Sequence, residues 1–164
     1  MPKRSIELSE DLSFQRRQWR WQRAAWMLAG AIVGAGLLGL FGEGPLSTAR
    51  AVSADGALSV DYERFVRREA PSRILVTAAP GTTDRSLDLH LRASRMETLR
   101  IVAVEPAPQE ALAGDGARRY RFGRLSTGAP ARILYVVESA VPGLQRLRIG
   151  VGGSEVGFWR FTFP

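Results

Sequence analysis

The chain of 164 residues contains no cysteine and a single histidine, His90. The lack of cysteine excludes disulfide bonds, thiolate metal sites and lipid attachment at a cysteine. The single histidine argues against zinc sites built from several histidines. Lysine is also nearly absent, since Lys3 is the only one among 23 basic residues. This arginine bias, together with many alanines and glycines, indicates a GC-rich bacterial genome.

Signals for catalysis are lacking as well. No glycine-rich loop joins a strand to a helix, so nucleotide binding has no support. The acidic residues are scattered, and His90 shares the polar side of a predicted strand with Asp88 and Arg92. We therefore interpret His90 as a surface histidine and predict no enzyme activity, no catalytic residue, no metal ligand and no cofactor. A metal site made only of oxygen ligands is left open.

Residues 24–41 form the longest uncharged segment, an apolar run of 18 residues. A helix of this length spans roughly 27 Å, close to the ~30 Å hydrocarbon core of a bilayer. The run is longer than the ~7–15 residues of a cleavable signal peptide, and the small-x-small sequence at residues 49–51 lies well beyond it. We predict a transmembrane helix that stays attached as a signal anchor, in preference to a buried core helix.

The two flanks of this segment differ in charge. Residues 1–23 hold six basic and three acidic side chains, whereas residues 42–49 hold only Glu43. The positive-inside rule therefore predicts a basic cytoplasmic tail (1–23) and an extracytoplasmic domain at the bacterial inner membrane. Arginines and tryptophans gather at the cytoplasmic end, as in interfacial belts. The predicted membrane-interface residues are Arg16, Arg17, Trp19, Arg20, Trp21, Arg23 and Trp26.

Small residues recur at a spacing of four along the apolar segment. Gly30 and Gly34 form one pair, and Ala31, Ala35 and Gly39 form a second series. Such stripes allow two helix backbones to approach closely. We predict helix packing against a membrane-protein partner or a second copy of the chain. Glycine and alanine are common in membrane helices generally, so an incidental spacing is the alternative.

The rest of the chain divides into a linker and one β-domain. Residues 42–56 are rich in Gly, Ser, Ala and Pro without apolar periodicity, which is typical of a linker. Residues 57–164 suffice for a single core, and apolar and polar residues alternate in several of their segments, as in half-buried strands. We predict an all-β domain, an immunoglobulin-like β-sandwich of about 7–8 strands, with a small β-barrel as the alternative.

Individual segments of this domain predict more detail. Residues 73–78 and 133–137 are apolar on both faces and suit central strands. Near the C-terminus, three aromatic residues alternate with Arg160 and Thr162. Residues 105–117 carry no such pattern, and we predict a loop or crossover there. Pro-Gly and Gly-Gly pairs between the apolar segments predict turns.

Four arginines occupy predicted outward positions of two strands. Arg119 and Arg121 belong to one strand, and Arg146 and Arg148 belong to another. If the strands are neighbours, the four guanidinium groups form a patch that binds phosphate or carboxylate. Outside the cytoplasm the ligand would be an anionic lipid, an envelope polymer or an acidic protein, and nucleic acid is not expected. The alternative is a solvated sheet face with charges that protect edge strands.

Two short segments carry a resemblance to a known family. Residues 41–47 (FGEGPLS) end the apolar run and open the linker, and residues 60–65 (VDYERF) lie at the start of the β-domain. In this order of parts, the chain resembles a group of small bacterial single-pass membrane-anchored proteins with an extracytoplasmic β-domain. Such proteins tend to be encoded beside a multi-spanning membrane protein, which implies an accessory subunit. The resemblance assigns no catalytic or binding residue.

Two functions are therefore expected. The first is a non-catalytic accessory or scaffold subunit of a bacterial inner-membrane complex, with the helix packed on a membrane partner and the β-domain docked on that partner's outer face. The second is an envelope module that binds an anionic ligand through the arginines. An exposed apolar or aromatic patch would favour the first function, and an arginine patch without one would favour the second.

Overall fold

The structure, a computed structural model, describes residues 12–37, 47–80, 86–114, 116–123 and 128–164. The chain divides into two compact units, residues 1–38 and residues 39–164. In the described residues, the first unit contains a helix, and the second contains strands and one short 3-10 helix, Met96–Thr98.

Helix α1 spans Leu12–Leu37. It begins inside the predicted basic tail because residues 12–29 contain no glycine or proline and are rich in good helix formers. Residues 38–41 of the predicted transmembrane segment lie outside the described residues. In the part of the chain that the structure describes, no helix is both long enough and apolar enough to cross a membrane.

The described part of the second unit contains eleven strands. They are β1 (Thr48–Val52), β2 (Leu58–Glu63), β3 (Phe65–Arg67), β4 (Ser72–Ala78), β5 (Leu87–Ala93), β6 (Leu99–Glu105), β7 (Glu110–Gly114), β8 (Ala117–Phe122), β9 (Ala131–Ser139), β10 (Gly143–Val151) and β11 (Ser154–Phe163). The first sheet has the strand order β1-β2-β4-β9-β6, and the second has the order β3-β11-β10-β5-β8-β7. The segments predicted to be central, now β4 and β9, each have a strand on both sides.

The two sheets pack face to face around one apolar core. The rings of Tyr120 in the second sheet and Tyr135 in the first meet edge to face, with their centroids 5.4 Å apart. Tyr62 of the first sheet and Phe158 of the second lie 4.2 Å apart between ring centroids. The predicted β-sandwich is confirmed, because two separate sheets share this buried layer. The predicted number of strands is too low.

The additional strands lie where the sequence pattern is weak. β1 falls in the predicted linker (42–56), and β7 falls in the loop predicted at residues 105–117. Both are edge strands without a fully buried side chain. β7 is exposed throughout, and the inward residues of β1 are only alanines, so neither shows a clear alternation of large apolar and polar residues. Residues 58–67 form two strands, because the chain leaves the first sheet after Glu63 and enters the second at Phe65.

Strand β11 keeps its predicted alternation but turns its polar residues inward. Val156 and Phe158 pack in the core. Because side chains alternate with a period of two, Arg160 and Thr162 follow them onto the inner face. The outer face of β11 therefore carries an aromatic series, and its members are Trp159, Phe161 and Phe163.

Candidate functional site on the outer face of the second sheet

The four predicted anion-binding arginines share one face but do not lie on adjacent strands. Arg119 and Arg121 are on β8, Arg146 and Arg148 are on β10, and β5 runs between these strands. Neighbouring strands are about 4.8 Å apart, so the two arginine pairs are separated by about 10 Å. Strand β5 places Arg92 directly opposite Arg148. Across β5, β8 and β10, the outer face therefore holds five arginines, one more than the sequence analysis assigned.

Arg121 is neutralised by carboxylates on both neighbouring strands. Its Nε lies 3.0 Å from Asp88 Oδ1, and its Nη1 lies 2.7 Å from Glu110 Oε2. The hydrogen bond to Asp88, followed by the charges of Asp88 and Glu110, raises the pKa of Arg121. Its guanidinium is therefore already paired with two carboxylates within the sheet.

The arginines of β10 also have neighbours. Arg148 Nη1 lies 3.9 Å from Glu155 Oε1, a loose ion pair. The guanidinium carbon of Arg146 lies 5.4 Å from the ring centroid of Trp159, within cation–π distance. By contrast, Arg92 and Arg119 have no ion pair with any carboxylate among the described residues. These two side chains are the cations available to an external anion.

A cleft of about 500 Å³ opens between β5, β8 and the β10–β11 hairpin. This volume falls in the range of small-molecule sites. We call it the histidine cleft, because His90 lies opposite Arg119 of β8 on one side and Gly150 of β10 on the other. Its charged and titratable lining consists of Asp88, His90, Arg92, Glu110, Arg119, Tyr120, Arg121 and Glu155.

His90 packs directly over the backbone of β10. A Cβ atom at Gly150 would overlap the imidazole, so glycine at this position permits the close approach. Burial lowers the pKa of His90, the charge of Glu155 raises it, and the charges of Arg92 and Arg119 lower it further. The net shift is downward, so His90 is mainly neutral at pH 7.

The hairpin beside the cleft is tied to the β1–β2 turn. The hydroxyls of Ser53 and Ser154 both donate to the carboxylate of Asp55, and the Ala57 backbone N–H donates at 3.1 Å. These hydrogen bonds, led by the one from Ser154, lower the pKa of Asp55 to about 2. The wall of the cleft is therefore held in place by a carboxylate that is ionised at any ordinary pH.

Replacing Gly150 with alanine should raise the pKa of His90 toward its ordinary value of 6.5. The added methyl group displaces the imidazole from the strand backbone into solvent, which removes the burial that lowers the pKa. The chain has one histidine, so the imidazole proton resonances in an NMR pH titration report on His90 alone. The sample must carry no histidine tag.

Gly157→Ala is the matched control for this substitution. Gly157 lies on the neighbouring strand β11, where an added Cβ would have no atom closer than 3.9 Å. The control should leave the titration midpoint of His90 unchanged. If Gly150→Ala leaves it unchanged too, then packing against β10 does not set the pKa of His90.

An aromatic surface lies on the same sheet, toward its β3 edge. Phe65, Phe161 and Leu144 form one row across β3, β11 and β10. The ring centroid of Phe163 lies 5.0 Å from that of Phe161 and 6.0 Å from that of Phe65. Trp159 and Leu144 are 52% and 55% exposed. We call these five residues the aromatic face, and their contiguity is unusual for a solvated surface.

The core contains an arginine that the sequence analysis did not single out as buried. Arg160 is 1% exposed, and its Nη1 and Nη2 donate to Ser72 Oγ at 3.0 Å and Ser139 Oγ at 2.7 Å. Its Nε has no hydrogen-bond partner among the described atoms. Burial lowers the pKa of Arg160 to about 10, although the charge of Glu63 opposes this. The side chain is therefore a buried cation held by two hydroxyl groups.

The residues predicted at the membrane lie on α1. Trp19, Trp21 and Trp26 are all exposed, and the guanidinium carbon of Arg23 lies 5.3 Å from the ring centroid of Trp19. Arg17 and Arg20 are exposed too. Of the other predicted residues, the side chain of Arg16 and the whole of Gly39 lie outside the described part of the chain.

The predicted helix-packing positions leave room for larger side chains. Among the described residues, a Cβ at Gly30 or Gly34 would meet no atom within 4 Å. Gly30 and Ala31 are exposed, whereas Gly34 and Ala35 on the same helix are half-buried.

Comparison with known proteins identifies no family. No family model and no curated protein matches the sequence. Among solved structures, a cohesin module from a Clostridium perfringens family 33 glycoside hydrolase superimposes with a TM-score of 0.46 at 9% identity, covering 68% of this chain and 97% of that module. A non-cellulosomal cohesin from the archaeon Archaeoglobus fulgidus gives 0.41 at 11% identity, over 61% and 86%. The human F-spondin reeler domain gives 0.38 at 12%, over 65% and 93%.

Proposed function

We propose that the chain is a non-catalytic accessory subunit of a bacterial inner-membrane complex. Helix α1 and the residues that follow it anchor the chain, with the N-terminus in the cytoplasm. The β-sandwich lies outside the cytoplasm and docks on the outer face of a membrane-protein partner. The basic flank and the uncharged run of residues 24–41 support the anchorage and its orientation.

The observation that carries the proposal is the aromatic face. A monomeric domain rarely leaves a contiguous set of aromatic and aliphatic side chains in solvent, and such patches mark protein interfaces. Tryptophan and an adjacent arginine are enriched at the energetic centres of interfaces, and Trp159 stacks with Arg146 here. The face includes Phe65 of edge strand β3, so no further strand of this sheet lies beyond it to obstruct a partner.

The composition of the native complex tests this proposal. The chain carries a non-histidine tag on a C-terminal spacer and is extracted from native membranes in a mild uncharged detergent. We expect one membrane protein to co-purify at a fixed stoichiometric ratio, identified by mass spectrometry. Recovery of the chain alone, in the soluble fraction or as a homodimer, would contradict the accessory role.

The double substitution Gly30→Leu and Gly34→Leu should weaken this complex without preventing membrane insertion. Two bulky side chains keep two helix backbones apart, whereas they meet nothing within the chain itself. Native gel electrophoresis of the detergent extract measures the size of the complex, and carbonate extraction measures insertion. Leu28→Ala and Leu37→Ala, which shrink exposed residues of the same helix, provide the comparison. An unchanged complex in the glycine variant would exclude packing through this stripe.

The alternative function, anion binding through Arg119, Arg121, Arg146 and Arg148, has weaker support as a set of four. Arg121 and Arg148 are near carboxylates, and Arg146 stacks on Trp159. Only Arg119 of this set has a free guanidinium among the described residues. An anion site on this domain therefore needs a different set of side chains.

A further inference from the structure

Two guanidinium groups that form no ion pair among the described residues flank the only histidine of the chain. Arg119 is the cross-strand partner of His90 in β8, and Arg92 lies two residues further along β5 on the same face. Directly opposed side chains on one face have Cβ atoms about 4.5–5.5 Å apart, and those two residues apart on one strand are similarly within reach. All three side chains line the histidine cleft.

Charged side chains surround His90 on its own strand and on the neighbouring strands. Asp88 and Arg92 share its strand, Arg119 and Arg121 face it from β8 with Glu110 beyond on β7, Arg148 lies on β10, and Glu155 lies on β11. The ion pairs described above join Arg121 to Asp88 and Glu110, and Arg148 to Glu155. Within the described cleft, Arg92 and Arg119 remain uncompensated.

The shape of the cleft leaves room for a ligand between these groups. Gly150 lies beneath the imidazole of His90, and Gly152 and Gly153 of the adjacent turn line the cleft without bulky side chains. Guanidinium groups approaching from two strands, together with an imidazole, can donate to three oxygens of one group. A tetrahedral phosphate offers that many acceptors, whereas one guanidinium already satisfies both oxygens of a carboxylate.

We propose that the histidine cleft binds a phosphate group between Arg92 and Arg119, with His90 taking up a proton as the anion enters. The phosphate belongs to free inorganic phosphate or to an anionic lipid headgroup. This site is built on β5 and β8, whereas the aromatic face lies on β3, β11 and β10, and the proposal is independent of the proposed docking function.

The proton uptake has a defined direction with pH. Burial and the two arginines keep His90 neutral in the free protein, and a bound anion supplies the negative charge that stabilises the imidazolium. The bound state therefore has the higher His90 pKa. It follows that affinity for an anion of constant charge rises as the pH falls toward the His90 pKa of the free protein.

The test uses the full chain, without a histidine tag, in uncharged detergent. One arm titrates inorganic phosphate, and the other titrates soluble dihexanoyl phosphatidylglycerol, whose phosphodiester keeps its charge between pH 5 and 8. Binding is followed by calorimetry and by the NMR titration of His90. We expect saturable binding in at least one arm, with an upward shift of the His90 midpoint. The arm that binds identifies the source of the phosphate.

Three variants make the result specific. Arg92→Gln and Arg119→Gln should each weaken binding by roughly tenfold or more, because each removes a charge-assisted hydrogen bond. His90→Gln should keep binding at pH 8 but lose the pH dependence of phosphatidylglycerol binding, since the charge of that ligand is constant over the range. Arg132→Gln, an exposed arginine on the first sheet, is the matched control and should bind normally. Absence of binding in both arms, or equal weakening by Arg132→Gln, would overturn the proposal.

Discussion

Replacing Arg160 with alanine should lower the free energy of unfolding of the β-sandwich by about 2–5 kcal/mol, whereas methionine should leave it unchanged or raise it. Alanine leaves a cavity where a long buried side chain had been. Methionine fills a similar volume without a charge. The two variants therefore separate the packing of Arg160 from its electrostatics.

The surroundings of Arg160 explain why losing the charge is expected to be tolerated. No described carboxylate forms an ion pair with Arg160, and its Nε lacks an acceptor among the described atoms. Ser72 and Ser139, which accept from the guanidinium, keep other partners: their hydroxyls donate to Val137 O at 2.9 Å and to Gln145 Oε1 at 3.3 Å. Removing the guanidinium therefore leaves neither hydroxyl without a hydrogen-bond partner.

Urea unfolding of the full chain, followed by circular dichroism at the β-strand band, measures both variants. Arg73→Met serves as the control, because Arg73 is exposed on the outer face of β4 and should change stability by no more than about 0.5 kcal/mol. An equal loss for methionine and alanine would mean that the hydrogen bonds to Ser72 and Ser139 outweigh the desolvation of the guanidinium.

Trp159→Glu should reduce recovery of the membrane partner by more than tenfold while leaving the domain folded. A tryptophan at the centre of an interface is commonly worth ~2 kcal/mol or more, which corresponds to roughly 30-fold in affinity. Burying the introduced carboxylate among Phe65, Phe161 and Leu144 also costs free energy, because the charge loses its hydration. Because Trp159 is 52% exposed, the substitution leaves the core intact.

Quantitative mass spectrometry of the co-purified partner measures this effect at matched expression levels. Val102→Glu is the control, since Val102 is 49% exposed and lies on β6 of the opposite sheet. Normal recovery with Val102→Glu and loss with Trp159→Glu would assign docking to the aromatic face. Equal recovery with both variants would refute a role for this face.

Local alternation predicted much of the β-domain correctly. In β5, β8 and β10 the pattern of apolar and polar residues assigned the outward arginines to the correct face, because neighbouring side chains on a strand must point to opposite sides. The same rule could not predict which face of β11 is buried, because both faces carry large side chains. Val156 and Phe158 pack in the core, and the two-residue period then carries Arg160 and Thr162 onto the same inner face.

The candidate sites depended on strand order, which sequence spacing does not contain. Arg119 and His90 are 29 residues apart in the chain but directly opposite in the sheet, and the aromatic face joins Phe65 to Phe161 across 96 residues. The edge strands β1 and β7 were missed because backbone pairing, without burial, holds them in place.

By itself, the sequence determined the β-rich class of the domain, its lack of disulfides, the outward arginines of β8 and β10, and the uncharged segment beside a basic flank. These properties follow from composition and from the two-residue period of a strand, which act over short distances. Only the tertiary structure decided that β5 separates the two arginine pairs, that Arg160 is buried, and that His90 lies beside two guanidinium groups with no ion pair among the described residues. Each of these depends on which strands pair and which face covers the core, and long-range packing selects both.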